Sequence, residues 1–352
     1  MKDAPVLDLI IVGQGLAGSA LAMRALKRRY QILVFDTPVE NRSSAIAAGL
    51  VNPITGKNMV KTWLADEIFP SMLNYYTEIE QLTHRNFFHS RSLYRPFGSI
   101  AEQNEWMAKS AEDIYQPYIS HLSTRSLYPG KANDTLGGIT LKRTGYLDTR
   151  LYMEAVREFL KARGSYEESL FVSDKLQIQP DGIRYGDHRA KRIVFCQGVQ
   201  NALNPWFNYL PIRSLKGEFL SVQCDWENDV ILNRGVYMVP GLLEGEWRVG
   251  STYDWSDQTT GITENARKEL REKLEQLICL PYQIKGQDWG VRPTTPDRKP
   301  ILGSHPKHDS LLIFNGFGTK GASLAPYFSE VLIRWIEGEG MIGKEADITR
   351  FN

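Results

Sequence analysis

The chain opens on an apolar run. Residues 6–12 read VLDLIIV, nearly unbroken and rich in β-branched side chains. Such a run predicts a strand buried on both faces, as in a parallel sheet. Residues 19–29 (SALAMRALKRR) then place apolar positions at helical spacing and end on a basic turn that suits the helix dipole. Residues 31–35 (QILVF) predict a second strand, closed by Asp36. Helical spacing recurs over 65–83, 149–162, 263–280 and 322–337, the third with Thr263 as a cap. Residues 211–223, 234–240 and 246–252 alternate apolar and polar positions between glycine-containing turns. They predict a mostly antiparallel sheet with one open face.

The turn between the first strand and helix reads Gly13-Gln14-Gly15-Leu16-Ala17-Gly18. In a strand–turn–helix–strand unit of about thirty residues this spacing has a mechanism. Gly13 allows the tight turn, Gly15 lets the backbone approach a pyrophosphate, and Gly18 permits close helix–strand packing. The N–H groups of the turn, those of Leu16 and Ala17 included, lie at a helix start that attracts phosphate. Asp36 is placed to accept hydrogen bonds from a ribose. An acid there disfavours a 2′-phosphate, so NADP is not expected. The turn alone does not separate FAD from NAD.

Composition narrows the class. The chain has 352 residues, 42% hydrophobic and 24% charged, which excludes a largely disordered protein. A prior of roughly 150 residues per domain suggests two domains. The net charge of +1 removes the electrostatic argument for a dedicated nucleic-acid binder, while leaving a local basic patch open. Three dispersed cysteines and six histidines form no CxxC, HExxH or His-rich tract, so no metal site is expected. The apolar runs fall short of a membrane span, and the first residues lack the layout of a signal peptide. A cytoplasmic protein is the expectation.

Residues 42–53, RSSAIAAGLVNP, follow the second strand. A row of small residues permits close backbone approach to a ligand, and the Ser43 and Ser44 hydroxyls can donate to phosphate. A small-residue helix start is the alternative. This loop resembles the flavin-contacting loop of the D-amino acid oxidase superfamily, which includes glycine oxidase and sarcosine oxidase. Ordered segments carry the same resemblance: GYLD at 145–148, RIVFCQG at 192–198, GVRPTTPDRKPILG at 290–303 and NGFGTKGASLAP at 315–326. It covers nearly the whole chain and is patchy over 87–143. It implies FAD as the cofactor. The cofactor-contacting set it implies adds Ala48, Gly49, Leu50, Val172, Gly198, Gly290, Gly316, Gly318, Thr319, Lys320 and Gly321. Lys320 has a surface lysine as its alternative. Sarcosine-oxidase-like members attach flavin through a cysteine at the position matching Gly290. No cysteine occurs in 286–303, so the FAD is expected to be non-covalent.

The resemblance implies an α/β fold: a Rossmann-like FAD-binding domain plus a smaller α+β substrate domain with a mostly antiparallel sheet. The first is expected from 1–86, 144–204 and 289–352, the second from 87–143 and 205–288. Tyr237, in YMVP, resembles the family tyrosine above the flavin. Arg292, in GVRP, resembles the arginine that grips a substrate carboxylate. A planar guanidinium binds carboxylate bidentately, which supports that role. Their alternatives are a solvent-facing strand tyrosine and a structural salt bridge. The directions of Arg248 and Tyr253 stay open. Lys57 and Lys61, in a loop at 54–61 without a family counterpart, are surface charges or contacts to a larger anionic substrate.

The expected reaction is oxidation of the C–N bond of a small carboxylated amine, with hydride passing to flavin N5. Oxygen would reoxidise the flavin and give peroxide. Residues 249–254 (VGSTYD) and the C-terminal motifs also resemble the FAD domain of the bacterial enzyme that trims carboxymethylaminomethyl-uridine in tRNA. A tRNA-directed oxidoreductase is therefore an alternative, as is a flavin dehydrogenase or sensor using another acceptor. The oligomeric state is open.

Overall fold

The computed structural model describes residues 6–37, 42–56, 58–227, 230–241, 243–257 and 260–351. Lys57 and the first five residues lie outside them.

The predicted βαβ unit forms as β1 (Leu7–Val12), α1 (Leu16–Lys27) and β2 (Ile32–Asp36). Leu9, Ile10 and Ile11 are fully buried, as expected of a strand covered on both faces. Helix α1 starts three residues earlier than the spacing predicted, because the small residues after Gly15 already wind the first turn. Gly13 has φ +97°, and a Cβ on Gly18 would lie 1.8 Å from the Gly13 carbonyl oxygen. Glycine is thus required at both positions.

Five strands joined by four parallel pairings build the core of the first sheet. Tyr166–Glu168 pairs with β2, β2 with β1, β1 with His188–Phe195, and the end of that strand with His308–Asn315. An antiparallel hairpin, Leu176–Gln179 with Gly182–Tyr185, extends the start of His188–Phe195. Ile301–His305 pairs on the outside of His308–Asn315. The carboxyl ends of the parallel strands deliver Asp36, Gly13, Gly198 and Gly316 to one edge, where α/β sheets bind ligands.

The second sheet has eight strands and is mostly antiparallel. Tyr282–Thr294 lies at one edge, followed by Arg213–Cys224, Glu246–Gly250, Val236–Pro240 and Val230–Arg234, then Ser92–Pro96, Gly138–Leu141 and Ile119–Ser123. Only the Val230–Arg234 to Ser92–Pro96 pairing is parallel. Helix Glu264–Glu275 covers one face through Leu270 and Leu274, which pack with Leu220, Val222 and Val249. The other face looks towards residues 42–50.

The helix Ala65–Thr83 has the predicted limits. Glu264–Glu275 ends five residues early. The boundary drawn between 288 and 289 falls inside Tyr282–Thr294, a strand that runs unbroken along Arg213–Cys224. Sheet hydrogen bonds hold Gly290 and Arg292 on the same strand as the residues before them. Phe88–Ser90, from the 87–143 block, pairs with Gly145–Leu147, which also pairs with Leu50–Val51.

Candidate active site

The turn at Gly13–Gly18 is braced from below. The buried Gln14 side chain donates to Ser19 Oγ (2.9 Å) and to the Met153 carbonyl (2.8 Å), and its backbone N–H donates to Asp36 Oδ1 (2.9 Å). Arg42 Nη2 reaches Asp36 Oδ2 at 3.0 Å. A carboxylate has about four acceptor positions, so Asp36 retains capacity for a ribose hydroxyl. The start of α1 has no side-chain cap and no acid in its first turn. Leu16 N–H donates to Ser44 Oγ at 3.2 Å, which docks the 43–46 turn onto the helix start. The remaining N–H groups suit a phosphate.

Residues 45–50 run between this helix start and the second sheet. Arg150 Nε donates to the Ala45 carbonyl (2.8 Å), while Thr149 Oγ1 and Arg248 Nη1 both donate to the Ala47 carbonyl (3.2 Å each). Gly49 lies against Leu147, where a Cβ would meet the Leu147 carbonyl oxygen at 1.9 Å. Ala48 and Leu50 are held in the same stretch. A parallel bridge joins Arg42 to Val291, beside Gly290 and Arg292.

The C-terminal motifs close the arrangement. Gly318 N–H donates to the Pro293 carbonyl (2.8 Å), and Thr294 bridges to Phe317. Asn315 Nδ2 donates to the Gly198 carbonyl at 2.9 Å. The helix Gly321–Ile336 starts with no side-chain cap and no acid in its first turn. Thr319 is exposed, while Lys320 is half-buried and donates to Thr62 Oγ1 at 3.3 Å. Burial, with Arg298 adding to it, pulls the Lys320 pKa below its usual value. Lys320 is thus no freely solvated surface lysine. Thr62 was not legible as its partner in sequence.

These segments fit FAD by their own chemistry. Two uncapped helix starts face one strand edge, small residues leave space along it, and the Thr294 hydroxyl is buried there without a hydrogen-bond partner. Val172 follows the strand Tyr166–Glu168, which pairs with β2 up to Asp36. Its N–H donates to the Tyr185 hydroxyl (2.9 Å) and its side chain is exposed. Lys61 pairs with Asp66 and lies 5.5 Å from the Tyr118 ring centroid, a local tie rather than a contact to this site.

The substrate-side residues share one sheet face. Antiparallel register puts Tyr237, Gly250, Phe219 and Asp288 in one row, with Arg248 two residues along from Gly250. Gly217, Gly290 and Arg292 continue that face. A Cβ on Gly250 would lie 2.6 Å from the Tyr237 hydroxyl, and one on Gly217 would lie 2.1 Å from an Arg292 nitrogen. Both glycines therefore make room for the polar ends of Tyr237 and Arg292. Arg292 Nη2 donates to Ser251 Oγ (2.7 Å) and Nη1 to the Thr252 carbonyl (3.3 Å). The guanidinium also stands 5.1 Å from the Tyr253 ring centroid. Burial pushes the Tyr237 hydroxyl up to about 12, against the opposing pull of Arg292 and Arg248. Among the described residues neither arginine has a carboxylate within ion-pair distance. No cluster of three or more His, Cys, Asp or Glu is placed to hold a metal ion among them.

Residues 8–335 match the family described as FAD dependent oxidoreductase, DAO. The chain belongs to this family, and FAD is its cofactor. It is 25% identical to the glycine oxidase of Bacillus subtilis, over 91% of this chain and 90% of that protein. It is 24% identical to the bifunctional protein ThiO/ThiG of Synechocystis and 25% identical to the tRNA 5-methylaminomethyl-2-thiouridine biosynthesis bifunctional protein MnmC of Leptospira borgpetersenii. These matches cover 91% and 86% of this chain. The chain spans about half the length of those two bifunctional relatives, 50% and 49%. Its fold is that of the glycine oxidase from Geobacillus kaustophilus (TM-score 0.80, 18% identity, 99% and 98% covered). It is equally that of the iminodiacetate oxidase from Chelativorans (TM-score 0.79, 18% identity, 96% and 98% covered). The expected α/β architecture is thereby shown. Among the described residues no helix is long and apolar enough to cross a membrane.

Proposed function

We propose that the protein oxidises the C–N bond of a small amine bearing a carboxylate. The observation that carries this reading is Arg292. Its guanidinium lies over Gly217 on the face shared with Tyr237, held by Ser251 and Thr252 and, among the described residues, by no carboxylate. A held, unneutralised guanidinium is prepared for bidentate binding of a carboxylate. The names of the glycine and iminodiacetate oxidases support the same substrate class.

FAD, when bound, supplies the two-electron acceptor that takes the hydride. The chain's own residues bind and orient. Arg292 anchors the carboxylate, and the neutral Tyr237 hydroxyl adds a hydrogen bond. Holding the reacting C–H in one place provides much of the rate. A neutral amine needs no protein base for this oxidation, so the site demands no His or carboxylate dyad. Water hydrolyses the imine product, and oxygen is the proposed final acceptor. The bound FAD is non-covalent in this reading. A second reading, oxidation of a modified uridine side chain in tRNA, rests on the identity to MnmC.

Anaerobic flavin bleaching by glycine, sarcosine, D-amino acids, proline and modified tRNA tests the reading. Small carboxylated amines are expected to bleach the flavin. Arg292→Ala should retain flavin and weaken these amines by about a hundredfold, the loss of a bidentate charged pair. Unchanged kinetics in Arg292→Ala would overturn the assignment.

A further inference from the structure

The same sheet face holds a second arginine in an unusual position. Arg248 is half-buried, and among the described residues its acceptor at close range is the Ala47 carbonyl, at 3.2 Å. Its guanidinium carbon stands 5.1 Å from the Phe219 ring centroid. Arg292 lies over Gly217. Gly217 and Phe219 are alternate residues of Arg213–Cys224, on the same face and about 7 Å apart along the strand.

Among the described residues no carboxylate forms an ion pair with either guanidinium, although the charges of Asp148 and Glu246 act on Arg248 from a longer range. The carboxylate of Asp148 caps the helix Thr149–Lys161 through Leu151 N–H (3.0 Å). Asp288 faces Arg150 at 3.8 Å. Arg150 adds positive potential at Arg248, and the Tyr237 hydroxyl feels both Arg248 and Arg292. Burying a guanidinium without a carboxylate partner is costly unless a ligand charge arrives. One such group accounts for a monocarboxylate. A second, reaching from another strand over the neighbouring same-face position of Arg213–Cys224, calls for a second anion.

We propose that the substrate is a dicarboxylate amine, with one carboxylate on Arg292 and the other on Arg248, the Tyr237 hydroxyl lying between. This rests on the reading of Arg292 as the carboxylate anchor. The two guanidiniums lie over successive same-face positions of one strand, so the candidate substrates carry an amine within a short chain between two carboxylates, and succinate and glutarate are the matching probes.

The test uses flavin-loaded protein and reads binding, with no turnover needed. Propionate, butyrate, malonate, succinate and glutarate are titrated against the visible spectrum of the bound flavin. Succinate or glutarate is expected to bind about tenfold or more tighter than the monocarboxylates, the scale of one added charged pair. Arg248→Gln should erase that preference, and Arg248→Lys should keep part of it. Flavin content of each variant reports whether the fold and the 45–50 loop survive. If dicarboxylates bind no better than monocarboxylates, or Arg248→Gln weakens both equally, the second anion site is overturned while the amine oxidase reading stands. If no carboxylate binds and no amine bleaches the flavin, both fall together.

Discussion

Arg42 and Asp36 face each other at 3.0 Å across the end of β2, and Arg42 also bridges by its backbone to Val291. One residue thus touches both the acid expected to meet the ribose and the strand that carries Arg292. Replacing Arg42 by Ala should weaken FAD retention by about tenfold or more, since charge-assisted hydrogen bonds are lost. Flavin fluorescence on dilution measures this. Undiminished retention would mean that Arg42 braces the acid without serving the cofactor.

Two glycines of the chain should respond differently to alanine. At Gly18 a Cβ meets the backbone oxygen of Gly13 at 1.8 Å, and neither side can yield cheaply. Gly18→Ala should cost about 3 kcal/mol or more of stability, seen as a lowered Tm and poor flavin loading. At Gly250 the Cβ meets the end of the Tyr237 side chain at 2.6 Å and the Phe219 Cβ at 2.9 Å, with no backbone atom among the three nearest. Gly250→Ala should cost less stability than Gly18→Ala while kcat/KM falls by about tenfold or more, through displacement of the hydroxyl.

Lys216 occupies the opposite sheet face, fully buried, with Nζ 2.6 Å from Asp257 and 3.8 Å from Glu218. Its backbone pairs with Asp254 in both directions. The stretch from Ser251 to Asp257 is therefore fastened at Lys216, and that stretch steadies Arg292. Lys216→Ala leaves buried carboxylates without their cation, at about 3–5 kcal/mol. Thermal unfolding should show the loss. KM for carboxylated amines should rise in the same variant at temperatures where it remains folded.

The pH response of Lys320 has a definite sign. Burial lowers its pKa in the folded state, so the unfolded chain binds the proton more tightly. Stability of the apoprotein then rises with pH between the lowered value and the ordinary one near 10.5. Lys320→Met should therefore raise apoprotein stability at neutral pH and show a smaller advantage towards pH 10.5. Denaturant midpoints at three pH values check this. An advantage that grows with pH would contradict the burial argument. Tyr237 titrates at about 12, so it contributes no step to the pH–rate profile below pH 10.

Much of the nucleotide half is legible because its signals are local. The apolar run of β1, the glycine spacing and the acid at Asp36 sit within thirty residues, and each demand is steric or electrostatic on its neighbours. Arg248 shows where such reading ends. Strand alternation says that Arg248 and Trp247 face opposite ways, but only the sheet register says which way the cofactor lies. Lys320 and Thr62 meet across most of the chain, so no window of sequence contains the contact. The 288/289 boundary falls within a continuous strand for a related reason. Gly286 and Gly290 are both in sheet register with Arg213–Cys224, a pairing between segments distant in the chain that no local pattern announces.

The unbroken strand Tyr282–Thr294 has a mechanical consequence. Arg292, the proposed carboxylate anchor, and Gly290, the proposed cofactor contact, belong to one ribbon, braced along its length by Arg213–Cys224. The two halves cannot swing apart like a clamshell at this seam without tearing a ladder of backbone hydrogen bonds. The 251–257 stretch, with its exposed Tyr253 and Trp255, is fastened to that same ribbon through Lys216.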